Sequence, residues 1–233
     1  MAPSFLLHSK IIPIGIIIKI FFKWHYNNIK YGCKDLLSAF NCLLLWLNGK
    51  CMKALLIIDM QNGSFTKETP RHNADNVVHH INQLSGVFRA NKDMVIFIQH
   101  DGSLNGDFIP GTEEWSLLQD LQQHSSDQYI SKTANDCFHK STLREVLLSK
   151  NISELVITGC ATDFCVDATI KSAFTKGYTI TVINDAHTTA DREGIPASKL
   201  INHYNWVWNN MLPLAVGSLA IASCAHYLAS ESK

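Results

Sequence analysis

The chain has 233 residues, of which 46% are hydrophobic and 17% charged, with 20 Lys and Arg against 20 Asp and Glu. That composition excludes a disordered or collagen-like chain, and zero net charge argues against a protein built to grip nucleic acid. The zero hides an asymmetry, because residues 1–51 carry six lysines and one acid, Asp35, leaving residues 52–233 net negative by five.

Residues 1–51 are apolar and basic. Their apolar runs, IIPIGIIIKIFF over 11–22 and CLLLWL over 42–47, are both short of the about 20 residues a spanning helix needs. Pro13, Gly15 and Lys19 interrupt the first, no small-residue cleavage site follows it, and the segment has no Arg. We expect an N-terminal extension outside the main fold, with contact at a lipid surface as the alternative. Seven cysteines (33, 42, 51, 137, 160, 165, 224) include no C-x-x-C pair and no zinc spacing, so a reduced, cytoplasmic protein is expected.

From Met52 onward, strand and helix patterns alternate. KALLII over 53–58 is a short buried-strand run ending at Asp59. Residues 73–90 place Val77, Val78, Ile81, Leu84, Val87 and Phe88 at helical spacing. A strand follows over 94–98, then a long polar loop over 100–126, and such loops are often functional. Further segments predict a strand at 127–131, a helix at 142–149, a strand at 155–158 and a helix at 163–175. A strand at 179–183, a helix at 196–210 and a last strand at 219–222 complete the series. The alternation predicts one domain over 52–233, a three-layer, Rossmann-like α/β fold with a parallel sheet and helices on both faces. Ligands in such sheets sit at the carboxyl ends of strands, where strand order switches. No G-x-G-x-x-G or Walker loop occurs, so no nucleotide cofactor is expected.

That rule points to Asp59, residues 99–101, Lys132, residues 159–162 and residues 184–187, and three residues at or near these strand ends could carry chemistry. Asp59 ends the first strand, Lys132 follows the strand near 127–131, and Cys165 lies near a helix start. Taken singly, each has a plain reading: a loop acid, a solvated lysine, a small core thiol. Together, an acid, a cation and a thiol make a set suited to covalent catalysis. A helix start and a lysine favour thiolate, and a carboxylate can move its proton.

The run GCATDFCVDAT over 159–169 resembles the nucleophile motif of the isochorismatase-like cysteine hydrolases. LIIDMQ over 56–61 resembles their first-strand motif, and Lys132 with Phe138 and Leu143 their lysine segment. Gly177-Tyr178 and the DAHT at 185–188 also fit. The resemblance covers 52 to about 210. It implies Cys165 as the nucleophile attacking a carbonyl, Asp59 as the proton shuttle and Lys132 as the residue tuning both. It also implies a cis peptide between Cys160 and Ala161, with the N–H groups of Ala161 and Cys165 forming an oxyanion hole and Cys160 packing in the core.

Nicotinamidases share the Ala-Thr-Asp-aromatic-Cys pattern but carry a metal site after the second strand. Here that position reads Gln99-His100-Asp101, with no second His until His124, so no metal is expected. PGTEEW over 110–115 looks like members acting on other small amides, with Gln61, Phe65, Trp115 and Phe164 as substrate-contacting candidates. The expected activity is hydrolysis of a small amide C–N bond through a thioester. The alternatives are isochorismate-type vinyl ether hydrolysis and a non-catalytic binding or scaffold member of the fold. Relatives of this kind are commonly homo-oligomers, and Trp206 and Trp208 are read as apolar surface for such contact.

Overall fold

A computed structural model describes residues 4–7, 10–13, 52–212, 214 and 216–231. The chain divides into two compact units, Met1–Lys50 and Cys51–Lys233. In the first, β1 (Ser4–Leu7) and β2 (Lys10–Pro13) pair antiparallel. Apart from residues 11–13, both apolar runs of this segment lie outside the described residues.

The second unit is built around a six-stranded sheet. Its strands are β3 (Lys53–Ile58), β4 (Met94–His100), β5 (Gln128–Lys132), β6 (Glu154–Cys160), β7 (Thr179–Thr188) and β8 (Ser218–Ala222). Their order is β5-β4-β3-β6-β7-β8, and every neighbouring pair is parallel. Five helices are described: α1 (Ala74–Ala90), α2 (Leu143–Ser149), α3 (Asp167–Thr175), α4 (Ala197–Asn209) and α5 (Cys224–Glu231). This is the three-layer α/β fold that the alternation predicted.

Strand side chains alternate between two cores. Leu56 and Ile58 face one core with Leu143, Leu147, Ile170, Phe174 and Trp208 of α2, α3 and α4. Leu55 and Ile57 face the other with Val77, Ile81, Leu84, Phe88 and Tyr227 of α1 and α5. Strands packed on both faces need near-continuous apolar runs, which is why KALLII and MVIFI stand out in the sequence. α1 has Asp75 in its first turn and Arg89 in its last, each favourably placed on the helix dipole.

Three boundaries differ from the sequence reading. β7 runs on to Thr188, carried by polar residues that pair Gly159 with His187 and Cys160 with Thr188. α5 was not anticipated, being short and close to the chain end. The segment read as one helix from 163 begins instead with a π-helical turn, Thr162–Val166, before α3. Trp208 also departs from expectation. It is 1% exposed and its indole N–H donates to Asp167 Oδ1 at 2.9 Å, whereas Trp206 is 64% exposed. Residues two apart on a helix face nearly opposite sides, so only one of the pair reaches the surface. Among the described residues, no helix is long and apolar enough to cross a membrane.

Candidate active site

The chain leaves β3 for β4 on one side, and β6 returns to pair with β3 on the other. The switch in strand order therefore falls between β3 and β6, where a crevice opens at the carboxyl ends. Asp59 and the turn holding Cys165 flank it, and a cleft of about 260 Å³ lies there.

Each side chain is placed by a local backbone feature. Asp59 takes a left-handed φ of 48°, which Asp tolerates better than most residues, and its N–H donates to the Ile98 carbonyl at 2.9 Å. Gly159, with φ of 118°, is hemmed in: a Cβ there would come within 2.2 Å of the Ile58 carbonyl oxygen. Only glycine allows β6 to approach β3 so closely just before the cleft. The Cys160–Ala161 peptide is cis. The π turn then carries Phe164 and Cys165 to the cleft wall.

Lys132 reaches the cleft from β5, two strands from β3. It is 2% exposed. Its ammonium donates to Asp59 Oδ2 at 2.7 Å and to the Ala134 carbonyl at 3.0 Å, and lies 3.4 Å from Cys165 Sγ. Three N–H donors thus meet three acceptors. Burial opposes the charge on Lys132, but the Asp59 carboxylate, together with the Cys137 and Cys165 sulfurs, outweighs it and holds the ammonium above the ordinary lysine range. Asp59 Oδ1 is buried and has no hydrogen-bond partner among the described residues.

The thiol of Cys165 donates to Asn135 Oδ1 at 3.5 Å. Burial, and next the Asp59 carboxylate, push this thiol well above the ordinary range, outweighing Lys132. That reverses the expectation of a thiolate favoured by a helix start. Cys165 sits inside the π turn rather than ahead of a helix, and its acid neighbour opposes a second negative charge. Cys160 is buried, and burial pushes its thiol up to about 12, as suits a packing residue.

The cleft is lined by Asp59, Gly63, Ser64, Arg71, His100, Phe108, Asn135, Cys160, Ala161, Phe164 and Cys165. Of the four substrate-contacting candidates, Phe164 is there, 50% exposed, with the Arg192 guanidinium 5.1 Å from its ring centre. The other three are not. Gln61 is fully buried, and its amide is used in holding the cleft floor, donating to the carbonyls of His100 and Trp115 and accepting from the His100 N–H. Phe65 packs against the α1 core. Trp115 contributes its carbonyl, which also accepts from Gln99, and its indole nitrogen is buried away from the cleft lining. Arg71, Phe108 and Asn135 were missed; they lie in loops with no periodic pattern to mark them. Among the described residues, no three His, Cys, Asp or Glu side chains cluster to hold a metal ion.

At the rim, Asp163 accepts from Thr189 Oγ1 at 2.6 Å, and from Arg192 Nε at 2.8 Å and Nη2 at 3.1 Å. Behind the turn, Thr162 Oγ1 and His187 Nδ1 are 2.8 Å apart, and His187 Nε2 is 3.1 Å from Asn205 Oδ1. Burial lowers the His187 pKa to about 4. The ring is therefore neutral, with its N–H donating to Asn205 and Nδ1 accepting from Thr162.

The sheet order and the cleft define a doubly wound α/β protein with a cleft at the β3/β6 switch. Residues 53–205 match the isochorismatase domain, and the chain belongs to the isochorismatase family. It is 29% identical over 147 residues to a streptothricin hydrolase of Streptomyces noursei, covering 63% of this chain and 57% of that protein. Nicotinamidase 3 of Arabidopsis thaliana is 30% identical over 154 residues, covering 60% of this chain and 75% of that one. A crystal structure of an isochorismatase family protein matches with a TM-score of 0.67 at 29% identity, over 73% of this chain and 98% of the other. The match thus spans little more than half the length of the streptothricin hydrolase.

Proposed function

We propose that this chain hydrolyses the C–N bond of a small amide through a thioester on Cys165. The observation that carries the reading is the contact set at the cleft floor: Lys132 Nζ lies 2.7 Å from Asp59 Oδ2 and 3.4 Å from Cys165 Sγ. The similarity to proteins named streptothricin hydrolase and nicotinamidase supports it.

In this mechanism the thiol is protonated at rest, as burial and the neighbouring carboxylate demand. When a substrate carbonyl enters, the Cys165 proton passes to Asp59 Oδ1, the oxygen with no other partner, while sulfur bonds to the carbonyl carbon. The backbone N–H groups of Ala161 and Cys165 hold the resulting oxyanion. Collapse of that intermediate breaks the C–N bond, and Asp59 returns the proton to the departing amine or ammonia. Water then attacks the thioester, Asp59 taking its proton and passing it to the sulfur, which leaves as the thiol with the C–S bond broken. Lys132 stays on Asp59 Oδ2 and holds the carboxylate in place between steps.

The test is ammonia release from a panel of small amides by wild-type and Cys165→Ala protein. Wild-type release, absent in the variant, with a mass shift of the acyl group on Cys165 in quenched samples, is the expected result. Turnover that persists in Cys165→Ala would remove the thioester route.

A further inference from the structure

The cleft region contains three cations, and they are answered unequally. Lys132 is paired with Asp59, and Arg192 with both oxygens of Asp163. Arg71 faces no acid among the described residues. Its Nε donates to the Ser64 carbonyl, which fixes the guanidinium plane, while its two terminal nitrogens have no acceptor among those residues. Arg71 lines the cleft together with Ser64 of the same loop and with Phe164 and Cys165 of the π turn. It is close enough to Cys160 for its charge to favour ionisation of that buried thiol.

One more polar atom of the lining is unanswered: His100 Nδ1 is buried without a hydrogen-bond partner among the described residues. Buried polar atoms in proteins are nearly always satisfied, so such atoms in a cleft mark where polar atoms of a ligand belong. With Asp59 and Lys132 neutralising each other and the thiol uncharged, Arg71 leaves the cleft with an unpaired positive charge. A planar guanidinium with its two outer N–H edges open matches a carboxylate.

We propose that Arg71 binds a carboxylate on the substrate, so that the amide hydrolysed is one end of a small acid whose other end is anionic. This rests on the amide-hydrolase reading above and narrows its substrate class. With the carboxylate held at Arg71, the amide carbonyl is delivered to Cys165 across the cleft. Phe108 and Phe164 make up the apolar wall between.

The full-length protein distinguishes the two claims through one matched pair of amides. Succinamate carries a carboxylate where 4-methylpentanamide carries an uncharged group of the same shape. Wild type is expected to prefer succinamate by about 30-fold or more in kcat/KM, the scale of a charge-assisted hydrogen bond. In Arg71→Gln that preference falls to within about threefold, and Arg71→Lys restores part of it. Equal turnover of the two amides by wild type, or a preference kept in Arg71→Gln, overturns the carboxylate site and leaves the hydrolase reading standing. A calorimetric titration of succinamate into Cys165→Ala protein, with and without Arg71→Gln, reads binding alone. Binding lost with Arg71, when neither amide is turned over, supports the anion site and counts against the hydrolase reading. No binding in either protein overturns the site.

Discussion

Two acid–base pairs border the same cleft, and they are constructed differently. At the rim, Asp163 accepts from Arg192 through both carboxylate oxygens, and Thr189 adds a third donor. At the floor, Asp59 meets Lys132 through Oδ2 alone, and its Oδ1 is buried with no partner among the described residues. A carboxylate with both oxygens engaged is a structural strut. One with a free oxygen beside a protonated thiol has capacity to accept a proton. The comparison teaches that the two pairs differ in one unsatisfied atom, Asp59 Oδ1, and it is on that atom that the proposed proton transfer relies.

Exchanging the acids breaks the comparison most directly. Asp59→Asn removes the proton acceptor and is expected to lower kcat/KM on whichever amide is turned over by about 10³-fold, within the range of a lost general base. Asp163→Asn, which disturbs only the support of Phe164, should cost less than about tenfold, the low end of a positioning effect. Equal losses in the two variants would show that Asp59 too is only structural.

Removing the cations separates the pairs by stability. Lys132→Met leaves Asp59 charged and unpaired in the interior, so urea unfolding should register a loss of about 3–5 kcal/mol. The Arg192 side chain is 31% exposed, and solvent takes over part of its role. Arg192→Met should therefore cost about 1 kcal/mol or less.

An uncharged anchor behind the turn of Cys165 sharpens the contrast. His187 is neutral between Thr162 and Asn205, with a folded pKa of about 4 against 6.5 when exposed. Below pH 6.5 the unfolded chain binds a proton that the folded chain refuses, so stability falls as pH drops from 6.5 toward 4 and is unaffected above. The total is about 3 kcal/mol. His187→Gln should flatten that acid limb in unfolding curves recorded across pH 4–7.

The smallest effect concerns the thiol itself. Because burial and Asp59 push Cys165 upward, its alkylation by neutral iodoacetamide should keep rising with pH beyond the ordinary thiol range of about 8.5. In Asp59→Asn the same profile should shift to lower pH. A plateau below pH 8 in the wild type would mean that a thiolate is present at rest.

The sequence made the scaffold readable because strands buried on both faces must be continuous apolar runs, and the helices between them carry a one-sided stripe. The rule that strand ends carry chemistry pointed to Asp59 and Lys132 and to residues 159–162, three residues short of Cys165, and the structure brings these three side chains together. The cleft walls were not. Arg71, Phe108 and Asn135 sit in loops whose course depends on long-range contacts, such as the Gln61 amide gripping both ends of the 100–115 segment. Gln61 itself was misplaced for the same reason, since a motif shows that a residue matters without showing which way it faces. The direction of the Cys165 shift was misjudged too, because burial of the thiol beside an acid has no local sequence signal.

Lys132 and Asp59 stand on strands separated by β4, a span of roughly 10 Å in a sheet with strands about 4.8 Å apart. The Lys132 side chain has to bridge that width to reach Asp59, which makes the ion pair a gauge of it. A pull or pressure that spreads β3, β4 and β5 by an ångström opens the 2.7 Å contact well before the sheet itself gives way. In mechanical terms the protein is expected to lose its chemistry while still folded, and turnover under hydrostatic pressure should fail ahead of tryptophan fluorescence.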